Sequence, residues 1–353
     1  MNALCRHFGA CGGCTLQDLN EATYSDFKRD LIVGALARNG IVDVHLERIV
    51  AVPPRTRRRT TLKAEMQAAQ VLIGFHGLRS HDIADMRECH VLTPALFAAV
   101  QELRPMMRSI LGNSGGAELY LLEADNGIDM ALNWKRALTP ALVAAVAKAA
   151  PCINLIRVIS GDGLVYESAA PEIRFGKAIV HPPPRAFLQP TLQGETDLQA
   201  RVIQIIGRAK RIADLFCGCG TFTLPLAEQR QVHAVDADQS LLNALAAAAR
   251  MTSGLKPIAT ERRDLFRNPL FPPELNRFDA VVLDPPRAGA LAQARQLAKS
   301  AVKRVAYVSC DAASFARDAR VLVDGGFRLA EILGVDQFLW SAHIELAATF
   351  TRD

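Results

Sequence analysis

The chain has 353 residues, of which 50% are hydrophobic and 22% charged, with a formal net charge of +5. That balance excludes a disordered chain, and no apolar run reaches the roughly 18 residues a membrane span needs. The length suits two domains, the cationic surplus permits a nucleic-acid partner, and the start, Met1 to His7, has no apolar signal core, so the cytoplasm is the expected location.

The first elements are irregular. Cys5, Cys11 and Cys14 cluster at the start and Cys89 follows at a distance. Disulfides are not expected among eight cysteines in a cytosolic chain. These four thiolates could instead ligate a zinc ion or a [4Fe–4S] cluster, and their spacing leaves both open. A helix-like segment over 21–39 precedes β-like pieces over 59–75. Between them stand Arg55, Arg57, Arg58, Arg59 and Lys63, a run that reads either as a solvated face or as a set of phosphate contacts. Alternating α and β signals continue to about residue 175, so residues 1–180 read as an α+β unit.

The proline cluster at 182–184 breaks regular structure and marks a boundary. Residues 181–353 then become periodic. Strand-like runs at 211–216, 231–235, 278–283 and 304–309 alternate with helical stretches at 221–229, 238–251, 290–300 and 313–323. Two strand-like runs, 328–335 and 343–350, close the chain. This pattern predicts an α/β fold, a parallel Rossmann-like sheet covered by helices on both faces.

The strand at 211–216 runs into a turn containing Gly218 and Gly220, where the lack of a Cβ lets backbone approach a ligand. The next strand ends at Asp236, placed to bond ribose hydroxyls, and together these features predict a nucleoside site. Asp284-Pro285-Pro286-Arg287 gives a rigid acidic edge at a later strand tip, and Asp264 is a weaker candidate to face an adenine. Cys310 ends the strand-like run at 304–309 just before a helix, whose N-terminus favours a thiolate. Cys217 and Cys219 read as packing residues of the turn, and Cys152 as a core residue.

In chain order these features resemble the bacterial RNA uridine-5-methyltransferase family, iron–sulfur-bearing enzymes that act on ribosomal or transfer RNA. The resemblance rests on Cys5-x₅-Cys11-x₂-Cys14 with Cys89, Phe187-x-Gln189, Asp214 to Gly220, Asp284-Pro-Pro-Arg, Ser309-Cys310, and Asp336-x-Phe338 with His343-x-Glu345. It implies a class I methyltransferase domain that uses S-adenosylmethionine. Cys310 would add to C6 of the uracil, and Glu345 would accept the C5 proton. Gln189 and Phe216 would contact the cofactor, Asp236 its ribose, and Asp284 both cofactor and base. The resemblance also selects [4Fe–4S] over zinc for Cys5, Cys11, Cys14 and Cys89. It places RNA, 23S rRNA ahead of tRNA, on the first unit around Arg55 to Arg59.

The chain departs from the family pattern in several places. Thr191 and Asp311 each stand where Asn is usual, and Leu339-Trp340-Ser341 replaces Pro-His-Thr. The oligonucleotide-binding barrel many members carry before the cysteines is not expected here. The competing reading is a non-catalytic iron–sulfur RNA-binding module with a relict methyltransferase domain. Retention of Cys310, Glu345 and Asp284 argues against it.

Overall fold

A computed structural model describes residues 3–112, 115–134, 139–161 and 163–353. In chain order α1 (Glu21–Arg38) and β1 (Leu46–Ala51) lead to β2 (Arg59–Gln67), β3 (Gln70–His76), β4 (Ile83–Asp85), α2 (Pro94–Leu111), β5 (Gly116–Ala124), β6 (Gly127–Asn133), α3 (Pro140–Ile153), β7 (Leu155–Ser160) and β8 (Gly163–Glu167). A hairpin of β9 (Ile173–Phe175) and β10 (Ala178–Val180) precedes α4 (Leu192–Ile206), β11 (Arg211–Leu215), α5 (Thr223–Ala227), β12 (Gln231–Asp236), α6 (Gln239–Met251) and β13 (Ile258–Arg262). The chain closes with α7 (Pro272–Leu275), β14 (Ala280–Leu283), α8 (Leu291–Ala298), β15 (Arg304–Ser309), α9 (Ala312–Asp324), β16 (Arg328–Asp336) and β17 (Glu345–Thr351).

Seven strands form one sheet in the order β4-β3-β2-β5-β6-β7-β8, and α2 and α3 cover its apolar face through Leu96, Leu103, Met107 and Val146. The second sheet has eight strands in the order β1-β16-β17-β15-β14-β11-β12-β13. Its central strands are apolar on both faces, with every residue of β14 buried, because helices cover both sides. Ile32, Leu297, Phe315 and Leu322 from α1, α8 and α9 pack one face, and Leu198, Val202 and Leu226 from α4 and α5 pack the other. Each such side chain contributes about 1.5–3 kcal/mol of transfer free energy.

Several features differ from the sequence expectation, among them α4, β13 and α7, which stand where no element was predicted. The second sheet is mixed, because β17 runs antiparallel to both β15 and β16. The connection 337–344 holds no helix and is shorter than the dozen or more residues that a parallel return requires. In addition, β1 pairs in parallel with β16, and α1 packs on α9, so both elements belong to the second sheet although they precede residue 180. A partner so far along the chain leaves no local periodic trace. Among the described residues no helix is long and apolar enough to cross a membrane.

Candidate active site

β11 connects onward to β12 on one side, while its other neighbour is β14. Strand order therefore reverses between β11 and β14, and open α/β sheets bind ligands beyond the strand tips at such a switch point. A cavity of about 450 Å³ occupies that place, and Gln189, Phe216, Asp236, Asp264, Asp284, Cys310 and Glu345 all line it. The sequence-predicted residues of the methyltransferase half are thus brought together. They come from the tips of β11, β12, β14 and β15, from the segment just after β13, from the start of β17, and from the segment before α4.

Local structure explains the arrangement. Phe216 directly follows β11 with φ of 63°, and its ring meets Phe266 with centroids 5.4 Å apart, forming an aromatic wall. Gly218 N donates to Asp236 Oδ2 at 2.9 Å, which ties the turn to the tip of β12. Gly218 lines the cavity, but Gly220 serves packing: a Cβ there would lie 2.6 Å from Leu245 Cδ1. Asp264 points part of its carboxylate into its own turn, accepting from Phe266 N at 3.0 Å. Two of the family departures preserve caps, since Thr191 accepts from Gly194 N at 3.0 Å to start α4 and Asp311 accepts from Ser314 N at 2.9 Å to start α9. Thr, Asn and Asp all serve as N-caps.

The electrostatics depart from expectation at Cys310. Burial, reinforced by the Glu345 and Asp284 carboxyls, pushes its thiol up to about 12, against the helix-end preference for a thiolate. Burial also raises Asp284 to about 7, with Asp214 adding to the effect, and holds Glu345 well above the ordinary carboxylate range. Glu345 is buried and accepts from Gln337 Nε2 at 3.1 Å, while Gln337 also donates to Gln189 Oε1 at 2.7 Å. Gln337 carried no sequence signal beyond its place inside Asp336-x-Phe338, and Phe266 none beyond its nearness to Asp264.

A second cavity, of about 260 Å³, is lined by Cys5, Cys11, Cys14 and Cys89 with Arg57, Phe338 and His343. Four thiols around one space fit the donor set of a cluster. Among the described residues, however, no group of three His, Cys, Asp or Glu side chains is arranged to hold a metal ion. His343 faces this cavity and meets Arg287 Nη2, from the edge of the first cavity, through Nδ1 at 3.2 Å. The loop between them is pinned by Lys28 of α1, whose Nζ reaches Asp336 Oδ1 at 2.7 Å and the carbonyls of Phe338 and His343 at 3.2 and 2.5 Å.

The arginine run is not one surface. Side chains alternate as the chain enters β2. Arg55 is exposed, but Arg58 is buried, donating to Glu195 Oε2 at 2.6 Å and to Gln189 O at 3.2 Å. Arg57 and Arg59 point the other way, over the rings of Phe338 and Phe187 at 5.7 and 4.3 Å. Arg58 therefore leaves the set of RNA-facing candidates. Arg58→Ala is expected to destabilise the protein by about 3–5 kcal/mol in urea unfolding, since it strands a buried carboxyl, and to leave the salt dependence of RNA binding at its wild-type slope. Cys152 also differs from expectation. It is exposed, because the buried stripe of α3 runs through Leu142, Val146, Ala150 and Ile153. Cys217 and Cys219 are buried in the turn as expected.

The strand order, with one antiparallel strand inserted beside β15 and a cavity at the switch point, defines a class I methyltransferase. The comparisons narrow this class. Residues 176–353 match the family described as tRNA (Uracil-5-)-methyltransferase. An RNA methyltransferase of Brucella suis is 43% identical over 99% of this chain and 84% of its own length. The 23S rRNA (uracil(1939)-C(5))-methyltransferase of Pectobacterium atrosepticum is 30% identical over 99% of this chain and 80% of its own. The crystal structure of Pyrococcus abyssi tRNA (uracil-54, C5)-methyltransferase with S-adenosyl-L-homocysteine superposes with a TM-score of 0.76 at 22% identity, over 97% of this chain and 86% of that one. The chain belongs to the RNA (uracil-5-)-methyltransferase family.

Proposed function

We propose that the protein transfers a methyl group from S-adenosylmethionine to C5 of a uridine in 23S rRNA, through a covalent bond between Cys310 and C6. The observation that carries this reading is a single cavity lined by Cys310, Glu345, Asp284, Asp236 and Gln189. Uracil C5 is too weak a nucleophile to attack a methyl sulfonium unaided. The Cys310 thiolate adds to C6, and the electron pair of the C5=C6 bond moves into an enolate. C5 then attacks the methyl carbon, a C–C bond forms, and the sulfonium carbon–sulfur bond breaks to leave a neutral thioether. Glu345 removes the C5 proton, C5=C6 re-forms, and the Cys310–C6 bond breaks to return the thiolate.

The other residues bind and orient. Asp236 is placed for ribose hydroxyls, Phe216 and Phe266 for the adenine face, with Asp264 at its edge, Gln189 for the donor, and Asp284 between donor and base. The relative named for 23S rRNA supports a ribosomal target. A target base inside a stack cannot reach a thiol at the strand tips, so the nucleotide flips out or comes from a loop. We assign residues 1–180, apart from the α1 and β1 segments in the second sheet, to holding RNA, residues 181–353 to methyl transfer, and the cytoplasm as the site of action. Cys5, Cys11, Cys14 and Cys89 are assigned to a [4Fe–4S] cluster, which would brace the loop carrying Phe338 and His343.

Mapping 5-methyluridine in ribosomal and transfer RNA from cells lacking this protein tests the target. Loss of one or more 23S rRNA sites is expected, and loss confined to transfer RNA would transfer the activity there. Arg55→Ala is expected to reduce the slope of log binding constant against log salt by about one, read in RNA titrations between low and moderate salt.

A further inference from the structure

Gln337 lies just past β16 and is 1% exposed. Its single amide nitrogen donates to Gln189 Oε1 at 2.7 Å and to Glu345 Oε2 at 3.1 Å, so both of its hydrogens are committed to residues that line the cavity. The working form of the base requires this orientation. Once Glu345 is ionised it accepts only, so the NH₂ end of Gln337 then faces it. The same rotation then dictates Gln189. With its oxygen taken, Gln189 keeps its own NH₂ free, and that group has no protein partner among the described residues.

The opposite end of Gln337 bears the cost. Its Oε1 is buried without a partner and sits against α4, where a Cβ at Gly194 would lie 2.5 Å from it. A buried acceptor left unsatisfied is unfavourable. Folding tolerates it here while the other end of the same amide joins two site residues from separate segments. Any side chain at 194 would push Gln337 out of this position.

We propose that Gln337 is a positioning residue that sets Glu345 as a proton acceptor and Gln189 as a donor toward the methyl-donor side, coupling the two halves of the cavity through one amide. This rests on the reading of Glu345 as the base. The charged and titratable groups facing Glu345 are Asp284 beyond β14, Cys310 beyond β15 and Arg59 of β2. Asp284 and burial disfavour its ionised form, whereas the Gln337 bond and Arg59 favour it. Gln337 is therefore one of two groups that oppose the neutral, non-basic state.

The test compares pH profiles of methylation and the level of covalent enzyme–RNA adduct in wild type, Gln337→Met and Gln337→Glu. Gln337→Met keeps the length and loses both donors. It is expected to move the acidic limb of kcat upward by about one pH unit, as loss of a hydrogen bond to a charged group does. Adduct should accumulate severalfold as C5 deprotonation slows, and KM for S-adenosylmethionine should rise severalfold as Gln189 turns freely. Gln337→Glu should move the limb further, because it sets a second carboxyl beside Glu345. A packing role alone would lower kcat equally at all pH values without adduct. That result, or an unchanged limb and adduct level in either folded variant, overturns the inference. Glu345→Gln in the same assay separates the two claims. Normal turnover by that variant removes the base reading. Adduct accumulation there, with a wild-type profile in Gln337→Met, removes this inference alone.

Discussion

Cys310→Ser is expected to lower methyl transfer by about 10⁴-fold or more, the scale seen when a covalent nucleophile is removed. Binding of S-adenosylmethionine should stay within a few fold of wild type, as calorimetric titration would read, because the serine hydroxyl fills nearly the same space. The thiol is pushed up to about 12 in the folded protein by burial and by Glu345 and Asp284. An alcohol in the same place is far weaker still as an acid. The thiolate is the attacking form. Arg287 opposes the two carboxyls at Cys310, and a methyl sulfonium brought beside Asp284 would add positive charge in the same sense. The rate of adduct formation should therefore rise with pH through the neutral range. A flat profile would show that the thiolate fraction does not limit the step.

Glu345→Gln is expected to stop the reaction after methyl transfer. Glutamine cannot accept the C5 proton, so the methylated base stays bonded to Cys310 and turnover falls by about 10²–10⁴-fold. Denaturing electrophoresis of the variant with unmodified RNA should show a stable protein–RNA band, absent from wild type. The same substitution should change stability with a defined sign. The folded-state pKa of Glu345 lies above its unfolded value. Its contribution is therefore fully present below the unfolded pKa and is lost as pH rises through the folded one. Glu345→Gln has no such loss, so its Tm should overtake that of wild type as pH rises, while its activity does not recover. A carboxylate buried for chemistry thus costs stability at the pH where it works.

Much of the site was legible because its residues stand at strand tips. Asp236, Asp284 and Cys310 follow short apolar runs, and the alternation of strands with helices brings such tips to one edge of a sheet. The spans of α5, α6, α8 and α9 were legible for the same reason, whereas the single turn of α7 was not. What was not legible depends on non-local pairing or on competition between effects. β1 belongs beside β16, a partner that no local pattern could indicate. The ionisation of Cys310 turns on burial and two carboxyls from other strands, which outweigh the helix end visible in sequence. Arg58 looked like its neighbours until the alternation of β2 turned it inward to Glu195. Gln337 matters only through Gln189 and Glu345, which approach it from β17 and from the segment before α4.

The most direct test uses RNA in which the target uridine is replaced by 5-fluorouridine. Fluorine cannot leave as a proton, so the reaction halts after addition and methyl transfer. Digestion and mass spectrometry should then find the methylated fluoropyrimidine on the peptide bearing Cys310, formed only when S-adenosylmethionine is present and absent from Cys310→Ser. An adduct on another residue, or methylation of natural RNA at full rate by Cys310→Ser, would contradict the account.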